Sequence, residues 1–223
     1  MASPLVTSLA QWVWLLEFNS TVAALDASAL PSGDLAAALL PHFAKVHVVR
    51  PDAASLEATM ESASHEGWEP TTAAVSPLTS LALEPRSLDC IAVHDLFVRH
   101  PRSSVELASD LMALGRLLRP GGWLSLCSPH RQSLRWRRSV TAGLRRVRVE
   151  SSLYRAGFHE IRCLFTEPAL DRPLALIPDA GPAVALFDTR DARSRTKQVV
   201  RQALARSPLR ADLLSSYFLF ARA

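Results

Sequence analysis

The residues best suited to do chemistry gather where one apolar run ends. Leu88–His94 (LDCIAVH) is followed at once by Asp95, and His100 lies in the loop beyond. An imidazole titrates near neutrality, so His94 or His100 can act as a general base, and the Asp95 carboxylate can anchor a substrate. The plainer reading makes Asp95 a helix cap and the histidines solvated. A second locus is VAALDASALPSGDLAAALL, Val22 to Leu40. It reads as a strand, a turn and the start of a helix, which is where a nucleotide-binding fold keeps glycines so that its backbone can approach a ligand. Here Asp26 closes the strand and the first glycine is Gly33. A third locus, His130 to Arg148, carries seven arginines around Trp136. Guanidinium forks suit phosphate, carboxylate or RNA, and a solvated helix face explains the same pattern. Cys90, Cys127 and Cys163 are widely spaced in apolar runs, as buried reduced thiols are. No metal-ligand spacing, Walker loop or nucleophile elbow occurs.

The elements that must position these groups follow from periodicity. Ser3–Phe18 has helical character, with Leu5, Leu9, Trp12, Leu15 and Leu16 near one face. Strands are expected at Val22–Ala27, Lys45–Arg50, Thr71–Val75, Leu88–His94, Trp123–Cys127, Phe158–Phe165 and Tyr217–Ala221. Helices are expected at Gly33–Phe43, Asp52–Ser64, Ser104–Leu118, Ser133–Ala156 and Asp191–Ala205. Pro120-Gly121-Gly122 is expected to end one helix and turn the chain. Such alternation implies a parallel sheet with helices on both faces. The last strand arrives after a long excursion, so it can enter antiparallel. The domain plan is an N-terminal helix over residues 1–20 and one domain over 21–223, with an insertion at about 168–214 that lids a pocket, builds a dimer surface or simply connects.

Bulk composition narrows the class. Of 223 residues, 48% are apolar and 21% charged, which suits one α/β domain with a sizeable core and argues against extensive disorder. The net charge of +4 is almost all arginine, since Lys45 and Lys197 are the only lysines. That excess is small for a nucleic-acid binder. No apolar run reaches membrane-spanning length, and the first residues lack the basic start of a signal peptide. A cytoplasmic protein that does not engage the membrane is expected.

The stretch LEPRSLDCIAVHDLFVRHP, followed by LASDLMALGRLLRPGGWLSLCSP, resembles the class I S-adenosylmethionine-dependent methyltransferases, small-molecule branch. YRAGFHEI, Tyr154 to Ile161, is similar to that family's entry to its sixth strand. The resemblance spans roughly Val22 to Phe165 plus the final strand. It implies a Rossmann-like, doubly wound, mostly parallel seven-stranded sheet with the last strand antiparallel, and S-adenosylmethionine as cofactor. It places Asp26 at the family's first acid, Ala27 and Ala29 on two of its glycines, and Gly33 at the first helix. Arg50 falls where the family's ribose-binding acid belongs, so Asp52 is the substitute acceptor, though it also stands where it would cap the next helix. Near Pro77 the adenine-side acid is missing. The resemblance assigns Asp95, with His94 and His100, to substrate or to the methionine end. Two functions follow: methyl transfer to a small molecule, or a degenerate relative that binds and stabilises a homologous protein subunit. A third is a repurposed pocket that catalyses a reaction other than methyl transfer.

Overall fold

A computed structural model of the chain describes residues 11–28, 34–77, 81–94, 104–129, 146–167, 175–178 and 216–223. Its strands are β1 (Ala23–Asp26), β2 (Lys45–Arg50), β3 (Thr72–Val75), β4 (Leu88–His94), β5 (Leu118–Pro129), β6 (His159–Glu167), β7 (Ala175–Pro178) and β8 (Ser216–Arg222). The helices are α1 (Asp34–Leu39), α2 (Ala53–Glu66), α3 (Ser104–Leu117) and α4 (Arg146–Arg155), preceded by a 3-10 turn at Gln11–Leu15. They alternate with the strands because short continuous apolar runs such as Ala23–Asp26 and Leu88–His94 give buried strands, whereas in α3 apolar residues recur every third or fourth position.

The strands form one sheet in the order β3-β2-β1-β4-β5-β8-β6-β7. β1 pairs in parallel with β2 and β4, and β8 runs antiparallel between β5 and β6. All seven expected strands are present, with the last one reversed. The insertion adds an eighth, short strand, β7, antiparallel on the β6 edge. The order reverses at β1, so β1 and β4 diverge to different neighbours at their carboxyl ends. In open α/β sheets that crevice is where ligands bind.

Both faces are covered. On one, Trp12, Leu35, Leu39, Val46, Val48, Trp123, Phe218 and Phe220 are buried together under α1 and the 3-10 turn. On the other, Leu107, Leu111 and Leu114 of α3 and Val149 and Leu153 of α4 pack on Leu25, Ile91, Leu124 and Leu219. β4 is buried along its whole length, as a central parallel strand must be. No helix among the described residues is long and apolar enough to cross a membrane.

Two expectations shift. Pro120-Gly121-Gly122 does not separate helix from strand. Instead β5 begins at Leu118 and carries the three residues as an irregularity opposite the start of β4. Gly121 sits at φ 82, and a Cβ on Gly122 would meet the carbonyl oxygens of Arg119 and Asp89 at 3.0 and 3.1 Å. The described end of the expected N-terminal helix is a 3-10 turn, which drives Trp12, Val13 and Leu16 into the core. Of the expected helix at Ser133–Ala156, Arg146–Arg155 is described. The arginine-rich run before it, the helix at Asp191–Ala205 and most of the insertion lie outside the described residues.

A buried aspartate anchors β1 to β4. Asp89 Oδ2 accepts the Val22 and Ala23 amides, each at 2.8 Å, and Oδ1 accepts Arg119 Nη1 at 3.0 Å. Its carboxylate thus satisfies strand-end donors that would otherwise be buried unpaired.

Candidate functional site

The carboxyl ends of β1, β2 and β4 bring together Asp26, Ser28, Arg50 and His94. Asp26 is fully buried beside the equally buried Arg50, with Nη2 to Oδ2 at 2.8 Å. Every arm of this guanidinium is used: Nε donates to Thr59 Oγ1 at 2.9 Å, and Nη1 to the Val49 and Asp26 carbonyls at 3.1 and 3.3 Å. The other Asp26 oxygen accepts the Ser28 amide at 2.9 Å. The pair arises because Arg50 ends an apolar strand that runs parallel to β1, with Asp26 in register with Val48. A charge buried there needs an opposite charge within reach.

Of the residues expected to hold a cofactor, Asp26, Ala27 and Asp52 are described. Ala27 is in the core, with its amide bound to the Ala92 carbonyl at 2.9 Å. Asp52 caps α2, accepting the Ser55 amide at 2.7 Å and the Ser55 hydroxyl at 3.0 Å. This is the capping role that its position before the helix suggests. Ala29 and Gly33 lie outside the described residues. For an S-adenosylmethionine nucleoside in the family's usual pose, the residues do not fit. Arg50, at the position the resemblance gives to the ribose-binding acid, turns its guanidinium into the core onto Asp26, and arginine has no lone pair to offer a hydroxyl.

At the β4 end, His94 is buried against Phe218 and Trp12, with ring centroids at 5.4 and 6.4 Å. Trp12 also packs on Phe220 at 5.5 Å. Burial lowers the His94 pKa to about 4, against a smaller upward pull from Asp26. The imidazole is neutral at pH 7 and accepts a proton only in acid. His94 Nε2, Trp12 Nε1 and Ser28 Oγ have no hydrogen-bond partner among the described residues. Asp95 and His100 lie outside them, so of the three expected catalytic side chains His94 alone is placed.

Two contacts lie beyond what the sequence shows: Arg50, at the position of the family's ribose acid, pairs with Asp26 on the neighbouring strand, and Trp12, in the core as its place on the apolar face implies, also covers His94. Periodicity says which side of an element is apolar, but not what it lies against.

No protein-family profile matches this chain, and no curated protein does. Solved structures do match over nearly its whole length. A SAM-dependent methyltransferase of Thermotoga maritima aligns at TM-score 0.62 and 14% identity, covering 97% of this chain and 88% of that one. Geranyl diphosphate C-methyltransferase from Streptomyces coelicolor, solved with Mg2+, geranyl diphosphate and S-adenosyl-L-homocysteine, aligns at 0.60 and 12%, covering 96% and 78%. A phosphoethanolamine N-methyltransferase of Haemonchus contortus, bound to phosphomonomethylethanolamine and S-adenosylhomocysteine, aligns at 0.61 and 18%, covering 96% and 52%. The sheet order, the reversed last strand and these alignments together give the chain the fold of the class I S-adenosylmethionine-dependent methyltransferases.

Proposed function

We propose that this chain is a methyltransferase-fold protein that no longer holds the cofactor in the family's usual pose and acts as a binding partner, with a homologous subunit as the natural candidate. The buried Arg50–Asp26 pair carries this reading. The guanidinium is held in the core by four acceptors and has no lone pair to offer a ribose, and the acid that the resemblance puts at this position is absent. Titration calorimetry with S-adenosylmethionine and S-adenosylhomocysteine tests it. The reading expects no tight binding by the isolated chain and stable co-purification with a partner subunit. Tight cofactor binding by the isolated chain overturns it.

A second reading is methyl transfer to a small molecule with the cofactor held differently. The buried atoms of His94, Ser28 and Trp12 that have no partner among the described residues favour it, because buried polar groups are normally satisfied and these lie at the sheet end where ligands bind. Turnover of labelled cofactor in the presence of a small-molecule acceptor would select it.

A further inference from the structure

At the amino end of β5, opposite the carboxyl-end crevice, α3, α4 and the loop before β4 border an open, shallow cleft of about 590 Å³. Among the described residues its lining includes Met112, Ala156, the edges of the largely buried Leu118 and Phe158, the charged Arg86 and Arg116, and Ala223, the last residue of the sequence. Among the described residues neither guanidinium has an ion-pair or hydrogen-bond partner.

The backbone holds this arrangement in place. Arg86 adopts the left-handed conformation at φ 57, which is unusual for a residue with a Cβ. Its amide donates to the Arg116 carbonyl at 3.0 Å, capping the last turn of α3 and joining the two residues through their backbones. Gly115 leaves room for the Phe158 ring, which a Cβ would approach to 3.3 Å. Gly157, at φ 90, has nothing within 4 Å of where its side chain would be, so the rim is open there. Met112 is half exposed, unlike the buried leucines of the same helix.

Two unneutralised guanidiniums beside an apolar wall make a recognisable chemistry. The cations favour an anion and can grip it bidentately, and the wall favours a hydrocarbon or aromatic body. We propose that this cleft is a second ligand site, for a small amphipathic anion: a carboxylate or phosphate carried on an acyl or aromatic group. The site is independent of the carboxyl-end crevice and stands whether or not the cofactor binds.

The test is titration calorimetry on the full chain with octanoate, octanamide and inorganic phosphate. The proposal expects octanoate to bind, and octanamide and phosphate each to bind about tenfold more weakly or less. It further expects the double variant Arg86→Gln/Arg116→Gln to lose about tenfold for octanoate, with an unchanged thermal midpoint because both side chains are exposed. Absence of octanoate binding, equal affinity for octanamide, equal affinity for phosphate, or an unaffected double variant would each overturn it.

Discussion

Replacing Arg50 with Met tests the buried pair directly. The substitution removes hydrogen bonds at 2.8, 2.9, 3.1 and 3.3 Å and leaves the buried Asp26 carboxylate with the Ser28 amide as its donor among the described residues. Removing one partner of such a pair costs about 3–5 kcal/mol, because the other charge stays buried uncompensated. For a chain of this size that lowers the thermal midpoint by roughly 10 °C. Asp26→Leu should cost a similar amount. The double variant Asp26→Leu/Arg50→Met should cost far less than the sum, since replacing a buried ion pair by well-packed apolar residues is often nearly neutral. The coupling in a double-mutant cycle should therefore reach several kcal/mol. Arg50→Lys should fall between, keeping the charge but losing the fork. Urea denaturation at neutral pH, with circular dichroism to follow folding, reads the parent and all four variants. Additivity within about 0.5 kcal/mol would refute the reasoning, because independent sites add to that tolerance.

Three further outcomes follow from the same geometry. His94 has a folded pKa of about 4 against 6.5 for the free side chain, so between those values the unfolded chain binds the proton and the folded chain does not. Stability should therefore fall as pH drops from about 6.5 towards 4, by about 3 kcal/mol in total, and His94→Phe should flatten that part of the profile of thermal midpoint against pH. Asp89→Ala should destabilise by about 2–4 kcal/mol by stranding the Val22 and Ala23 amides, while Arg119→Ala, at the more exposed end of the same pair, should cost under about 1 kcal/mol; equal losses in chemical denaturation would contradict the assignment. Gly122→Ala forces a Cβ against two backbone oxygens and should cost about 1–3 kcal/mol, against about 1 kcal/mol for Gly67→Ala, where space is open and only the left-handed backbone resists; a smaller loss at Gly122 than at Gly67 would refute this.

Much of the architecture could be read along the chain. Lys45–Arg50 and Leu88–His94 form as strands over those very residues, because β-branched and apolar runs bounded by Pro51 on one side and a polar loop on the other leave few alternatives. The helix over 104–117 follows from its leucine spacing, and the reversed last strand follows from the length of the excursion before it. The candidate site was legible only in its residue types: the missing glycines, the arginine in place of an acid, and the histidine at the end of the fourth strand. Their meaning depended on contacts between residues distant in sequence. Asp26 and Arg50 meet because parallel pairing carries two strand ends to the same level, and Trp12 covers His94 because the 3-10 turn folds back over the sheet. Local propensity determines which segments become strands and helices. Which charge neutralises which, and which crevice stays open, is decided only when the sheet order and register place those side chains within a few ångströms of one another.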